Sequence, residues 1–188
     1  GPRPRRAHVV TGATRGEVGN GDAGLIGGFI VTGTGTKPGR VRAIGPSLTD
    51  AGVAGALADP TLELHNSAGA LLGQNDNWQT TQIGGVITTN QVAAITASGA
   101  PPTKAKESAL LATLPPGAYT AVVRGFNDSS GIGLTEVYDL APASAAPLVN
   151  ISTRGRVQIC DEGLIGGFII GEGNSSSVRV VGCGRSLA

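Results

Sequence analysis

The chain of 188 residues carries a net charge of +1 with 14% charged residues, which leaves no electrostatic case for nucleic acid or a membrane surface as a partner. Gly (31) and Pro (11) are frequent and aromatics make up only 3%, a balance that favours short strands and tight turns over long helices. No run of about 18 apolar residues is present to span a bilayer as a helix.

Residues 1–8 read as an N-terminal tail, with Arg3, Arg5 and Arg6 a solvated basic cluster. The stretch HVVTGATRGEVGNG (8–21) runs from apolar residues into glycines, in the manner of a dinucleotide-binding turn. Such a turn needs glycines at set spacing, because the backbone must approach a pyrophosphate at a helix N-terminus. Gly12 and Gly16 fit, but Val18 stands where the third glycine belongs. The following NGDAGLIGGF is too rich in glycine to make the required helix.

Residues 25–32 read as a buried strand whose glycines admit a close neighbour. Residues 40–44 alternate as a half-buried strand. Short helices are expected at 47–57, with Ser47 as N-cap, and at 90–97. Residues 61–73 predict a hairpin around the turn Asn66-Ser67-Ala68-Gly69. Residues 108–114 and 118–123 flank Pro115-Pro116-Gly117 and predict another hairpin, and 133–140 close the unit. Ala141-Pro142-Ala143-Ser144-Ala145-Ala146-Pro147 reads as a linker. The expected fold is all-β: a β-sandwich, jelly-roll-like, over 9–140, with one or two short helices in its connections.

The linker is also a repeat boundary. Residues 148–188 align with 9–49 without a gap, and 18 of the 41 pairs are identical. TRGEVGNGDAGLIGGFIV (14–31) returns as TRGRVQICDEGLIGGFII (153–170). In the second copy Gly12 becomes Ile151 and Gly19 becomes Gln158, while Leu-Ile-Gly-Gly-Phe-Ile survives. The duplication kept the apolar strand and not the phosphate cradle, which disposes of the dinucleotide reading.

ADPTLELHNSAGALLGQNDNW (58–78) and ESALLATLPPGAYTAVVRGFNDSSGIGLTEVYDL (107–140) resemble a repeat domain of large secreted bacterial proteins. More distantly they are similar to bacterial pre-peptidase C-terminal β-sandwich domains. The shared pattern is a Leu-x-Leu strand, a Gly turn, an Asn-Asp-x-Trp segment and then Leu-Pro-x-Gly-x-Tyr-Thr. The resemblance implies an extracellular accessory or structural module without catalytic activity.

The residues support no enzyme. His8 and His65 are the only histidines, and neither lies near a Gly-x-Ser-x-Gly elbow. Glu63 with Glu107 or Glu136 would be the glycosidase couples, against a simpler reading as outward-facing strand residues. Asn75, Asp76 and Asn77, joined by Asp59 across the hairpin, offer oxygen ligands suited to Ca²⁺, although Asn and Asp are also ordinary turn residues. Trp78 is either a sugar-stacking platform or a core-edge residue. Cys160 and Cys183 replace Gly21 and Ile44 in the same copy, which points to one disulfide worth about 3 kcal/mol in an oxidising compartment.

The partial copy, 148–188, lacks the strands that would complete a sandwich. Its Leu164, Ile165, Phe168, Ile169 and Ile170 then forgo roughly 7–15 kcal/mol of burial, so something must cover them. Three solutions are open. The copy takes the place of 9–49 in its own unit, extends its own sandwich, or inserts into a neighbouring molecule by β-strand addition. The expectation is a secreted or cell-surface structural protein whose partner is a copy of itself, polymerising by strand exchange into a filament or tube. Its assembly residues would be Leu164, Ile165, Phe168, Ile169, Ile170, Val178 and Val180, with Leu25, Ile26, Phe29 and Ile30 in the first copy. The alternative is a cell-surface adhesion or carbohydrate-binding module that takes a glycan at Trp78. No cofactor is expected beyond the Ca²⁺ site.

Overall fold

The computed structural model describes residues 9–157, 163–171 and 178–184. Among them are ten strands: β1 (Val9–Val18), β2 (Leu25–Val31), β3 (Lys37–Ile44), β4 (Pro60–Asn66), β5 (Leu71–Asn75), β6 (Ser108–Leu114), β7 (Gly117–Gly125), β8 (Gly131–Asp139), β9 (Leu148–Arg154) and β10 (Ile165–Ile170). Two short helices, α1 (Pro46–Asp50) and α2 (Val92–Ala97), lie in connections. The fold is all-β, and every ladder between these strands is antiparallel.

The strand order is β5-β4-β7-β2-β9-β1-β8-β3-β6, with β10 also paired to β1. Strand β9 meets β1 at the single pair Val9↔Leu148 and through a bridge between Glu17 and Arg156. The sheet therefore turns over at that point, and two five-stranded layers result: β5-β4-β7-β2-β9 and β10-β1-β8-β3-β6. Alternation along each strand fills the space between them. Leu25, Phe29 and Val31 of β2, Leu62 and Leu64 of β4, and Tyr119, Ala121 and Val123 of β7 come from one layer. Val41 and Ala43 of β3, Leu110, Ala112 and Leu114 of β6, and Val137 of β8 come from the other. Each large apolar side chain so buried contributes about 1.5–3 kcal/mol.

The hairpin over 61–73 forms as β4 and β5, paired from Leu62↔Asn75 to His65↔Leu71. The expectation of a hairpin at Pro115-Pro116-Gly117 is overturned: β6 pairs with β3, and β7 pairs with β2 and β4. Leu110, Ala112 and Leu114 of β6 face the core, as do Tyr119, Ala121 and Val123 of β7. The two strands thus look at each other across the sandwich, and the prolines make the arch between layers. Tyr119 Oη donates to Pro115 O at 2.7 Å, which fixes it. Ser47 does not cap α1 either; Gly45 is the N-cap residue. The Ser47 amide donates instead to Glu107 Oε1 at 2.9 Å.

Two further differences concern the duplicated segment. Residues 9–18 form a full strand, where the apolar lead-in promised little. Residues 178–183, which repeat the segment around the strand expected at 40–44, carry no strand pairing. The linker is also a built element. Lys37 Nζ is buried and bonds Asp139 Oδ2 and Ala141 O, each at 2.7 Å. Further along, Pro147 O accepts from the Thr32 amide and Ala145 O from the Thr34 amide, while Ala146 is wholly buried.

Candidate functional site

The two copies of the duplicated segment meet edge to edge. Strand β9 is the repeat of β1, and β10 is the repeat of β2. In the complete unit β1 is held by β8 and β2 by β7, which leaves each with one free edge. Strand β10 takes the free edge of β1, and β9 takes the free edge of β2. Each layer gains one strand from the second copy. Of the three solutions open from the sequence, the chain adopts extension of its own sandwich.

The exchange is reciprocal to the residue. Arg15 pairs with Ile165, and Ile26 pairs with Arg154, which are the same two positions with the copies interchanged. The same holds for Thr14↔Gly166 and Gly27↔Thr153, and for Gly12↔Phe168 and Phe29↔Ile151. Even the irregularity recurs: the ladder skips Val10 between Val9 and Thr11, and skips Val149 between Leu148 and Asn150. A local two-fold axis therefore relates β1–β2 to β9–β10.

Side chains on that axis belong to equivalent positions. Thr14 Oγ1 and Thr153 Oγ1 share a hydrogen bond of 2.5 Å. A Cβ on Gly16 would lie 2.6 Å from Leu164 Cδ1, and a Cβ on its counterpart Gly155 would lie 2.9 Å from both Leu164 Cδ1 and Leu25 Cδ1. These glycines have no side chain because the two leucines occupy that space. At the third position symmetry breaks: a Cβ on Gly12 would overlap Ile151, its own counterpart. The repeat alignment held the signal for this row. Thr14 and Gly16 are unchanged in the second copy, while Gly12 is replaced.

The predicted assembly residues divide by copy. Leu25 and Phe29 are core residues, and Ile26 and Ile30 are half-buried on the outer face. In the second copy Leu164 packs against the core, but every residue of β10 is exposed, Ile169 to 59%. Val178 and Val180 are exposed as well, and Val149, Val157 and Val181 extend the apolar surface. Along their lengths β9 pairs with β2 and β10 with β1; β9 also touches β1 at Val9↔Leu148, while the far edge of β10 has no ladder partner among the described residues. Cys183 is exposed, and Cys160 lies outside the described residues, so the structure leaves the predicted pairing unplaced.

The remaining candidates are spread over the complete unit. Asn75 is buried and spends its amide on the fold: Nδ2 donates to Asn77 O at 2.9 Å, and Oδ1 accepts from the Ala109 amide at 3.0 Å. Asn77 Nδ2 donates to Asp76 Oδ2 at 3.0 Å. Asp59 pairs with Lys106 at 2.7 Å. Burial, then the neighbouring Asp59 charge, pushes the Asp76 carboxyl above its ordinary range, with Lys106 opposing. The loop thus brings Asp59 near Asp76 but uses Asn75 and Asn77 to hold itself. Among the described residues no three His, Cys, Asp or Glu side chains gather as metal ligands. Trp78 is half-buried, with its amide bonded to Glu107 O and its indole Nε1 enclosed.

The carboxylate couples do not assemble. Glu63 bonds His65 Nε2 at 2.9 Å and Arg124 at 3.3 Å. Glu107 is fully buried, accepting from Ser47, Thr103 and Lys104. Glu136 is held by Arg42 and Tyr138. Each is tied down by its own partners, and none faces another across a cleft. No helix among the described residues is long and apolar enough to cross a membrane. No family model, no curated protein and no solved structure matches the chain.

Proposed function

We propose that the chain is a secreted structural subunit that assembles head to tail by lending its C-terminal copy to a neighbouring molecule. The observation that carries this reading is the reciprocal pairing of β1–β2 with β9–β10, with β10 left exposed on its outer surface. A neighbour presents the same β1–β2 edge that the segment meets in its own chain. Contacts made within one chain are therefore available between two. An exposed apolar strand with an unpaired far edge is a feature that soluble monomers blunt, and β10 (IGGFII) carries no charge.

The extracellular or cell-surface setting and the Cys160–Cys183 disulfide belong to the same reading. Their support is the sequence resemblance and the paired appearance of the cysteines. The alternative, an adhesion module binding a glycan at Trp78, is weakened because the indole is half-buried and its loop is spent on internal bonds.

Negative-stain microscopy and sedimentation of the full chain test the proposal. Filaments or a ladder of oligomers are expected, and Leu164→Lys, placed where the second copy packs against the β1–β2 edge, abolishes them while leaving the complete unit folded. Monomers at every concentration, or filaments unaffected by Leu164→Lys, overturn the reading.

A further inference from the structure

We infer that the edge contact is built to join unlike copies, the first with the second, and to reject pairing of either copy with itself. The inference deepens the assembly proposal by giving the contact a direction, and its core is position 12 of the repeat. On the local axis Gly12 faces Ile151, and the isoleucine fills the volume that any side chain on Gly12 would need. The neighbouring axial positions carry the same residues in both copies, Thr14 against Thr153, with Gly16 and Gly155 each against Leu25 and Leu164. Position 12 does not. Two first copies would place Gly12 against Gly12 and leave a cavity where Ile151 now packs. Two second copies would drive Ile151 into Ile151 in space that already excludes a Cβ. Cavities and overlaps of this size are both costly in a packed interface.

A second asymmetry points the same way. A Cβ on Gly28 would collide with Ser152 Oγ, so Ser152 fills the gap over the β2 backbone. Its counterpart Ala13 leaves Gly167 open, with nothing within 4 Å of a built Cβ. Self-pairing through this edge would generate closed two-fold dimers. Pairing of unlike copies gives each molecule one donor and one acceptor, and the contact then runs in one direction along an open chain.

The experiment uses the full chain with Cys160 and Cys183 replaced by Ser, and places cysteines on the axis. Thr14→Cys and Thr153→Cys, purified separately, unfolded, refolded together at high concentration and then mildly oxidised, should give a mixed disulfide dimer, while neither alone cross-links. Cross-linking within the Thr14→Cys/Thr153→Cys double variant, with none in the mixture, upholds the pairing of unlike copies and overturns exchange between molecules. Dimers of Thr14→Cys alone, or of Thr153→Cys alone, overturn the inference. Position 12 is then tested directly in the double-cysteine chain. Gly12→Ile and Ile151→Gly should each slow cross-linking by about tenfold or more, and Gly12→Ile/Ile151→Gly, which exchanges the two roles, should restore it. Failure of that exchange to restore cross-linking removes position 12 as the selector.

Discussion

Phe29 and Phe168 occupy the same position of the repeat, in the same Leu-Ile-Gly-Gly-Phe-Ile context, yet one is 3% exposed and the other 45%. Val31 and Ile170 repeat the contrast at 1% and 39%. Local sequence does not separate the two strands, since both form and both pair. What differs is the opposite layer. Strand β2 faces a core built by β3, β6 and β8, whereas β10 is added to the edge of β1 with every residue exposed. An apolar strand acquires its hydrophobic stabilisation only where a second layer is supplied.

The largest test of this contrast is Phe29→Ala against Phe168→Ala. Removing Phe29 should cost about 3–5 kcal/mol in denaturant unfolding, and removing Phe168 under about 1 kcal/mol for the unassembled chain. Similar losses at both positions would mean that β10 is covered in solution. Next comes the hydroxyl pair on the axis. Thr153→Val should weaken docking of the second copy by about 1 kcal/mol, read as faster amide exchange in β9 and β10 with the transition of the complete unit unchanged.

The smallest effect lies in the complete unit, away from the edge. Because the Asp76 carboxyl is shifted upward by burial and by Asp59, its ionised form is disfavoured when folded. The resulting penalty is present above the raised value and fades as pH falls through it toward the ordinary value. Asp76→Asn should therefore add stability at neutral pH, by less than about 1 kcal/mol at this partly open site, and flatten thermal stability from about pH 4 to pH 7. A gain that also appears in β10 protection would deny the independence of the two regions.

The strands legible in the sequence were those whose inward positions are large. Leu62 and Leu64 alternate with Thr61, Glu63 and His65 and mark β4 plainly, and Leu110, Leu114, Tyr119 and Val123 give β6 and β7 large inward residues. Strand β1 escaped because its inward row is Gly12, Thr14, Gly16 and Val18, which carries almost no hydrophobic signal. Those residues are small because another strand lies against them, a fact about tertiary approach and not about propensity. The arch at Pro115-Pro116-Gly117 looked like a hairpin turn because turn chemistry is local, while the choice between pairing and facing depends on which layer each strand joins. The exposed apolar residues of the second copy were found through the repeat itself, but the axis between copies required coordinates.

In the assembly proposed above, the clamped linker sets how quickly a molecule can change partners. Ala146 and Leu148 are buried, and Ala145 and Pro147 are bonded to the β2–β3 connection, so release of the second copy must first strip this segment from the body of the protein. Opening is then a slow step, and whether the segment rests in its own chain or in a neighbour is decided when the chain folds, at the concentration prevailing then. A dilute preparation would stay monomeric long after being concentrated, and a polymer would outlast dilution. The assembly would carry a memory of how it was made.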